Sequence, residues 1–380
     1  MGEVKSEADV QDLIRGLTLL GTGGGGRPEQ GLEVLLPHVA AGRAVTWAAP
    51  ESIPDDAWVC STFGMGSIAP TETVSGDARR ALGYPAEWTV ARPMVRAVRE
   101  LEAYTGRKID AILPFELGAG NTASPMDAAV QLNVAIVDGD CAGRAIPELS
   151  QTTAAIAGVP FTPGATADAW GNVLLVKETA SDLLTERIGK LISIATKLPD
   201  MKAQCAHAGF MMTGRDMKRI VVGGGISRSL AVGRAIRAAL ARRADPVAAA
   251  AEALEGWVLF RGHVVKKDWE SRDGYMYGTT TVAGEGPDTG HTLRIWFKNE
   301  NHVTWRDGHP WVLSPDLIML MDADSGTPYT NTLLPEGMRV GVVGTVADPK
   351  LRTPAALALL GPAHYGYDIP YTPMEQLVRS

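Results

Sequence analysis

Residues 109–148 read IDAILPFELGAGNTASPMDAAVQLNVAIVDGDCAGRAIPE, and this stretch indicates the fold of the first half of the chain. Short apolar segments alternate with helical segments here and just upstream. In chain order they are 58–63 (apolar), 93–101 (helical), 109–115 (apolar), 126–131 (helical) and 133–138 (apolar). Strands that alternate with helices usually pair in parallel and carry helices on both faces of the sheet. The pattern therefore predicts an N-terminal three-layer α/β/α domain.

The second half has a different pattern. From Trp257 onward apolar and polar residues alternate with a period of two, which is typical of strands. Turn signals at 272–274 and 299–301 predict two hairpins. The segment 152–170 is rich in Thr, Ala, Gly and Pro, and we interpret it as the crossing between domains. We expect an α/β domain over residues 1–165, followed over residues 166–380 by a C-terminal β-rich domain, barrel- or sandwich-like, with a few helices.

Composition and charge narrow the functional class. The chain has 380 residues, of which 45% are hydrophobic, and its formal net charge of −7 offers no basic face for nucleic acid. Its three cysteines form no C-x-x-C pair, which argues against a disulfide framework or a thiolate zinc site and favours a reducing compartment. No apolar run approaches the roughly 18 residues of a membrane span, and the N-terminus does not resemble a secretory signal. We expect a cytoplasmic protein that binds a small-molecule substrate, with neither nucleic acid nor membrane as a partner.

The first candidate site is the glycine-rich turn Gly21-Thr-Gly-Gly-Gly-Gly26, which lies between two predicted helices. It matches G-x-G-x-x-G, but a dinucleotide fingerprint follows a strand, and the Lys-Ser/Thr of a phosphate loop is absent. Backbone N–H groups that converge in front of a helix suit an anion or a carbonyl oxygen. Gly23, Gly24 and Gly25 are therefore candidate substrate-binding residues. The alternative is a flexible helix–helix turn.

The second candidate site follows the apolar segment 109–115, in the run Phe115-Glu-Leu-Gly-Ala-Gly-Asn-Thr122. The carboxyl ends of parallel strands are where α/β sheets bind ligands. Glu116 is a candidate catalytic residue at this position, and Asn121 and Thr122 are candidate substrate-binding residues. The alternative is a helix cap followed by a glycine turn.

The third candidate site, Val137-Asp-Gly-Asp-Cys-Ala-Gly-Arg-Ala-Ile-Pro-Glu148, combines carboxylates with one arginine. Asp138 and Asp140 would repel each other in a shared pocket, which raises one pKa into the range of a general acid or base. Alternatively they hold a divalent cation, either zinc or magnesium. Glu148 joins them as a candidate catalytic residue, and Arg144 is a candidate clamp for a substrate carboxylate. The alternative is a solvated turn with a surface ion pair.

One candidate site lies in the second half of the chain. The run Asn299-Glu300-Asn301 is either an ordinary hairpin turn or a part of the substrate site, in which case Asn299 and Glu300 bind substrate. The seven histidines show no short metal-binding spacing, and His207 and His364 are the two of interest.

Together these segments resemble the S-methyl-thiohydantoin desulfurase-like family, whose members are often named hydantoin-utilisation proteins. The strings that carry the resemblance run in order through nearly the whole chain: LGTGGGG at 20–26, FELGAGNT at 115–122, VDGDCAGRAIPE at 137–148, GFMMTG at 209–214, FKNEN at 297–301, SPDLI at 314–318, and GP at 361–362 with YGYD at 365–368. The resemblance implies an N-terminal α/β sandwich, a C-terminal β-rich domain and a hydrolase that breaks carbon–nitrogen or carbon–sulfur bonds of hydantoin-type rings. It also implies a homo-oligomer and a partnership with hydantoinase or oxoprolinase systems.

These observations lead to one expected function and one alternative. We expect hydrolysis of a small cyclic imide or S-alkyl-thiohydantoin, with water activated by Asp138, Asp140 or Glu116, with or without a divalent metal. The alternative is a non-catalytic accessory subunit or ligand-binding partner of a hydantoinase or oxoprolinase system. In either case the loops that carry Gly23, Glu116 and Asp138 are expected to open into one cleft.

Overall fold

The structure is a computed structural model that describes residues 2–66, 76–81, 83–84, 90–196 and 205–378. The α-helices of these residues are α1 Glu7–Leu20, α2 Pro28–Ala40, α3 Gly76–Ala81, α4 Pro93–Thr105, α5 Ala119–Leu132, α6 Thr153–Ile156, α7 Asp182–Thr196, α8 Gly214–Ile220, α9 Gly225–Ala241, α10 Pro246–Ala253, α11 Pro354–Leu360 and α12 Met374–Leu377. The strands are β1 Gly2–Val4, β2 Val45–Trp47, β3 Trp58–Met65, β4 Ala111–Pro114, β5 Ala135–Ile136, β6 Gly139–Asp140, β7 Gly164–Ala167, β8 Val173–Val176, β9 Cys205–Thr213, β10 Val222–Gly223, β11 Trp257–Arg272, β12 Tyr275–Gly284, β13 Thr292–Lys298, β14 Glu300–Arg306, β15 His309–Leu313, β16 Leu317–Asp322 and β17 Arg339–Thr345.

A six-stranded sheet forms the centre of the first half, in the strand order β5-β4-β3-β9-β7-β8. Strands β3, β4 and β5 pair in parallel, with Val59 opposite Ala111 and Ala111 opposite Ala135. The intervening helices α4 and α5 pack against this sheet. The α/β class predicted from the alternation of strands and helices is therefore confirmed.

Strand β9 was not predicted from the sequence, and it makes the sheet mixed rather than wholly parallel. It lies in the middle of the sheet and is antiparallel to both β3 and β7. Its sequence, CAHAGFMMT, contains one β-branched residue at its last position, so its strand propensity is weak. The domain boundary at residue 165 stays a prediction, and the sheet itself includes strands from both sides of that position.

The second half is built on an antiparallel sheet, in the order β15-β14-β13-β12-β11-β17-β16, which curls into a half-barrel. Both predicted hairpins are present. The β11–β12 turn places Asp273 and Gly274 at φ values of 54° and 81°. The β13–β14 turn is tighter, because Lys298 pairs with Glu300 and only Asn299 lies between them, at a φ of 56°. The β-rich class of this half is confirmed.

The two halves share a hydrophobic core. Helices α1 and α9 cross at glycines: a Cβ atom on Gly16 would lie 1.8 Å from the carbonyl oxygen of Ser229, so no larger residue permits this approach. Val59 of the first sheet and Met319 of the second belong to the same buried cluster. Loops from both sheets consequently meet at one place. Among the described residues no helix combines the length and hydrophobicity that a membrane span needs.

Candidate active site

A small cavity lies where loops of the two halves meet. Its volume is about 40 Å³, and since roughly 10–15 Å³ on this measure already holds one water, it has room for a few waters or a small polar ligand. Acidic side chains from three loops and one lysine face it. The lining residues are Gly25, Gly26, Phe63, Gly64, Met65, Gly66, Phe115, Glu116, Asn121, Ile146, Pro147, Glu148, Leu149, Glu186, Lys190, Asn299 and Glu300.

Glu116 follows the end of β4 and is held by two hydrogen bonds to its carboxylate. The side-chain amide of Asn121 donates to Oε1 at 2.7 Å, and the backbone N–H of Ile146 donates to Oε2 at 2.7 Å. The residue is 3% exposed, and this burial raises the pKa of Glu116 to about 7 in spite of the two donors. Glu116 is thus a carboxyl group that can exchange a proton near neutral pH.

Asn121 links Glu116 to strand β3. Its amide also donates to the carbonyl oxygen of Gly64 at 3.2 Å, and its Oδ1 accepts the N–H of Gly64 at 3.0 Å. Thr122, in contrast, completes the turn itself: its Oγ1 donates to the carbonyl of Glu116 and accepts the N–H of Gly118, both at 3.1 Å. The structure therefore brings Asn121 to the cavity and gives Thr122 a role in shaping the loop.

Glu300 enters the cavity from the β13–β14 turn, and the surroundings of its carboxyl group differ from those of Glu116. It is 2% exposed, and its Oε2 has no hydrogen-bond partner among the described residues. Burial raises the pKa of Glu300 well above its ordinary value, and the nearby Glu116 raises it further. Because Glu116 has two donors to its ionised form while Oε2 of Glu300 has none, we assign the charge to Glu116 and the proton to Glu300. The neighbouring Asn299 lines the same cavity, and its Oδ1 accepts the N–H of Met276 at 2.9 Å.

The glycine-rich turn packs directly against both acidic loops. A Cβ atom on Gly24 would lie 1.8 Å from Oε1 of Glu300, and one on Gly25 would lie 2.6 Å from the Cα of Gly118. The carbonyl oxygen of Gly25 accepts the N–H groups of Gly120 and Asn121 at 3.0 Å each. Gly25 lines the cavity, whereas Gly24 lies against the side chain of Glu300.

Gly23 lies on the side of the turn that faces the second half of the chain. A Cβ atom there would lie 2.4 Å from the amide nitrogen of Asn331, and the carbonyl oxygen of Gly23 accepts the backbone N–H of Asn331 at 2.7 Å. The close approach of the Asn331 side chain to Gly23 and of the Glu300 side chain to Gly24 thus explains these two glycines. The anion-binding role of the turn stays a prediction.

The opposite wall carries residues that the sequence did not single out. Lys190 of α7 is 7% exposed, and its Nζ lies 3.6 Å from Oε1 of Glu186 and 4.2 Å from the ring centroid of Tyr275. Its ammonium makes no hydrogen bond to a described residue. Glu186 accepts the N–H of Leu149 at 3.0 Å and the hydroxyl of Tyr275 at 3.1 Å. A buried cation with unused N–H donors therefore faces the cavity.

Glu148 is ionised and paired. Its carboxylate contacts Nζ of Lys298 and Nε2 of His364, the latter at 3.0 Å. Although burial opposes ionisation, these partners lower the pKa of Glu148 to about 2. Glu148 therefore contributes a fixed, compensated charge to the cavity wall and cannot act as a proton donor near neutral pH.

Asp138 and Asp140 do not share a pocket. The carboxylate of Asp138 accepts the N–H groups of Ile226 and Ser227 at 3.0 Å each, so it caps the N-terminus of α9. Asp140 turns the other way and is completely buried, and its Oδ1 accepts the N–H groups of Ala142 and Gly143 at 2.6 and 2.5 Å. Neither residue lines the cavity. Of the three residues expected at one cleft, Glu116 lines the cavity, whereas Gly23 and Asp138 do not.

Arg144 is completely buried and has no donor left for a substrate carboxylate. A guanidinium has five N–H donors, and all of them are used at 2.8 to 3.3 Å. The acceptors are the carbonyl oxygens of Ala145, Pro315, Asp316 and Asn301 and the hydroxyl of Thr22. Because these acceptors belong to both halves of the chain, Arg144 joins the two halves instead of clamping a ligand.

The arrangement does not fit a divalent metal. Among the described residues no group of three or more His, Cys, Asp or Glu side chains is placed to hold one. The two aspartates that the sequence suggested as ligands bond backbone N–H groups of different elements, Asp138 those of helix α9 and Asp140 those of the loop at 142–143. His207 is also unsuited, because its Nδ1 bonds Thr166 and burial lowers the pKa of its ring to about 3 within an aromatic cluster with Phe63.

The fold and the cavity define a class of protein: an α/β part and a curled antiparallel part that together enclose a small carboxyl-lined site. The chain belongs to the S-Me-THD-like family, whose N-terminal domain matches residues 8–178 and whose C-terminal domain matches residues 180–374. This confirms the resemblance seen in the sequence. The structure is similar to a crystal structure of a protein from Chromobacterium violaceum, with a TM-score of 0.74 and 22% sequence identity over 98% of this chain and 100% of that chain. At this identity the likeness shows the fold alone. No curated protein matches the chain significantly.

Proposed function

We propose that this protein is a hydrolase of a small five-membered ring of the hydantoin type, either an S-alkyl-thiohydantoin or a cyclic imide. Membership of the S-Me-THD-like family supports the ring class. The size of the cavity, about 40 Å³, favours a small substrate over a peptide or nucleotide. The reaction is assigned to the cavity between Glu116 and Glu300.

The observation that carries the proposal is the unequal pair of buried carboxyls. Glu116 accepts two hydrogen bonds, which favour its ionised form, whereas Oε2 of Glu300 accepts none from any residue that the structure describes and keeps its proton. Two carboxyls whose pKa values are separated by their environments are the usual means of placing a base and an acid in one site. Glu116 is therefore the base and Glu300 the acid.

The chemistry balances with water as the only co-reactant. Glu116 removes a proton from water as the water oxygen adds to the ring carbon that bears sulfur, between the two ring nitrogens. Glu300 donates its proton to sulfur as the carbon–sulfur bond breaks, so a thiol leaves and the ring carbon becomes a carbonyl carbon after tautomerisation. Transfer of the proton from Glu116 to Glu300 restores the pair. With a cyclic imide the carbon–nitrogen bond breaks, and Glu300 protonates nitrogen.

Lys190 supplies positive charge for this step. Addition of water puts negative charge on the ring nitrogen or oxygen, and a buried ammonium stabilises such charge more than a solvated one does. Lys190 is 7% exposed, lines the cavity and keeps N–H donors unused by described residues. The role assigned to it is to stabilise the anion that forms on the ring.

The experiment is a direct assay of the purified chain. S-methyl-thiohydantoin, hydantoin and dihydropyrimidine analogues are incubated with the protein, and both loss of ring absorbance and release of thiol are followed. The proposal expects turnover of at least one analogue and a fall in kcat of at least about a hundredfold in Glu300→Gln. If no analogue reacts with folded wild-type protein, with or without added zinc or magnesium, the accessory-subunit alternative is supported and the proposal fails.

A further inference from the structure

Tyr275, the first residue of strand β12, contacts two ion pairs of the cavity wall. Its side chain is buried, and Nζ of Lys190 lies 4.2 Å from its ring centroid. Nζ of Lys298 lies 4.1 Å from the same centroid. The two ammonium groups pair with Glu186 and Glu148, which line the cavity. One aromatic ring therefore joins ion pairs that belong to different elements of the fold.

The ring holds Lys190 in a way that a hydrogen bond would not. Lys298 donates a hydrogen bond to Glu148, whereas Nζ of Lys190 lies 3.6 Å from the nearest oxygen of Glu186, beyond hydrogen-bond distance. The face of an aromatic ring attracts an ammonium within about 6 Å through its quadrupole. This attraction offsets part of the cost of burying the charge without an oxygen acceptor. Lys190 is thus held in place while its N–H donors stay available to a ligand.

The β11–β12 hairpin makes two further contacts with this part of α7. The hydroxyl of Tyr275 donates to Oε1 of Glu186 at 3.1 Å, the same oxygen that lies nearest to Lys190. A Cβ atom on Gly274 would lie 3.0 Å from Cδ of Lys190, so the turn also packs against the aliphatic part of the lysine. The tip of a hairpin in the second half of the chain therefore fixes the end of a side chain from α7.

The position of the Lys190 ammonium matters to both carboxyl groups of the proposed pair. Burial raises the pKa of Glu116 and of Glu300, and the charge of Lys190 opposes this rise at both groups. Charge–charge interactions in a buried site weaken with distance and with access of water. An ammonium displaced from the cavity wall would therefore stabilise neither the ionised base nor the anion that forms on the ring.

We propose that Tyr275 is a positioning residue of this site, whose aromatic ring holds the Lys190 ammonium at the cavity wall with its N–H donors free for the substrate. Tyr275 acts through Lys190 and does not itself touch the substrate. The ring carries this role, because the hydroxyl is directed to Glu186. The effect on turnover rests on the proposed function, whereas the hold of the ring on Lys190 does not.

The first test measures kcat and KM with S-methyl-thiohydantoin in Tyr275→Phe, which keeps the ring, and in Tyr275→Leu, which removes it. Tyr275→Phe is expected to keep kcat within about threefold of wild type. Tyr275→Leu is expected to lower kcat about tenfold with KM within about threefold, because the lost interaction acts mainly in the transition state. In a Lys190→Met background, Tyr275→Leu is expected to change kcat less than about twofold, since the group on which the ring acts is gone.

Tyr277→Leu is the matched control. Tyr277 lies on the same strand, and its ring contacts the guanidinium of Arg272 at 4.7 Å. This variant is expected to keep kcat within about twofold of wild type. Circular dichroism verifies that each variant is folded. Where Tyr275→Leu does not fold, Tyr275→Met takes its place, because methionine fills irregular space in a core but has no aromatic face.

The second test needs no turnover. Urea unfolding of wild type, Tyr275→Leu, Lys190→Met and the double variant forms a double-mutant cycle. The contact between ring and ammonium is expected to appear as a coupling of roughly 2- to 30-fold in the unfolding equilibrium constant.

A folded Tyr275→Leu protein with wild-type kcat overturns the proposal, as does an equal fall in kcat with and without Lys190. A loss in Tyr275→Phe as large as that in Tyr275→Leu assigns the effect to the hydroxyl and overturns it too. If wild type hydrolyses no analogue, the proposed function fails and the unfolding cycle decides separately. Coupling then supports the hold of Tyr275 on Lys190, and additive unfolding free energies overturn it.

Discussion

Gly24 lies directly against Glu300: a Cβ atom at position 24 would be 1.8 Å from Oε1 of that carboxyl group. The glycine-rich turn therefore determines where the acid of the proposed pair can lie. A methyl group at this position must displace Glu300 or the turn itself, because both belong to buried, well-packed loops.

We expect Gly24→Ala to lower kcat at least about tenfold and to destabilise the fold by about 1–3 kcal/mol, the usual cost of overpacking. Steady-state kinetics and urea unfolding measure the two effects. Gly223→Ala is the control, since its added Cβ would meet the nearest atom, Cγ of Pro50, at an ordinary 3.7 Å. Wild-type kinetics in Gly24→Ala would show that the position of Glu300 is immaterial.

Arg144→Lys is expected to destabilise the protein by about 3–5 kcal/mol, because an ammonium leaves buried acceptors without donors. Chemical denaturation gives the value. Arg234→Lys, at a side chain that is 49% exposed, is expected to change stability by less than about 0.5 kcal/mol. A variant of Arg144 with normal stability and only a raised KM would instead support a substrate clamp.

Asp138→Ala removes the cap of α9. We expect a loss of about 1–2 kcal/mol in the free energy of unfolding, with kcat within about twofold of wild type, because the residue contacts helix N–H groups and not the cavity. Thermal melts and the thiol-release assay measure both quantities. A hundredfold loss of kcat without a loss of stability would return Asp138 to the catalytic residues.

The rate of hydrolysis should have a bell-shaped dependence on pH. Activity is expected to rise as pH increases through about 7, where Glu116 loses its proton, and to fall again where Glu300 ionises. Burial raises the pKa of Glu116 in the folded state, so folded protein binds this proton more tightly than unfolded protein does. The stabilisation that protonated Glu116 gives the folded state is therefore fully present below pH 4.5, the ordinary pKa of a glutamate side chain. It is lost as pH rises through about 7.

Two measurements separate the effect of pH on the reaction rate from its effect on the stability of the fold. The pH profile of kcat/KM should lose its alkaline limb in Glu300→Gln, and unfolding free energies from pH 4.5 to 8 should vary less in Glu116→Gln than in wild type. A wild-type rate that is flat from pH 5 to 9 is incompatible with a carboxyl pair as acid and base.

Much of the fold and part of the cavity could be predicted from the sequence, because these features depend on local patterns. The three parallel strands follow from their alternation with helices, and the position of Glu116 follows from the rule that ligands bind beyond the carboxyl ends of such strands. Glu300 was recognised as a candidate although its segment reads as a hairpin turn.

The roles that could not be predicted depend on contacts between distant parts of the chain. Asp138 caps a helix that begins at Gly225, and Arg144 bonds residues near 301 and 315, so neither role has a local signature. Lys190 was missed because a charged residue on an amphipathic helix is normally assigned to the solvent side. The polar face of α7 is the buried one, and only the structure shows it.

The most direct test of the central claim is thiol release from S-methyl-thiohydantoin by wild-type protein and by Glu116→Gln at pH 7.5, with Glu102→Gln as a control for a carboxylate that lies outside the cavity. The amide keeps the shape of the side chain but cannot accept a proton. The account predicts a fall in kcat of at least about a hundredfold for Glu116→Gln alone. Release at the wild-type rate by a folded Glu116→Gln protein would contradict it.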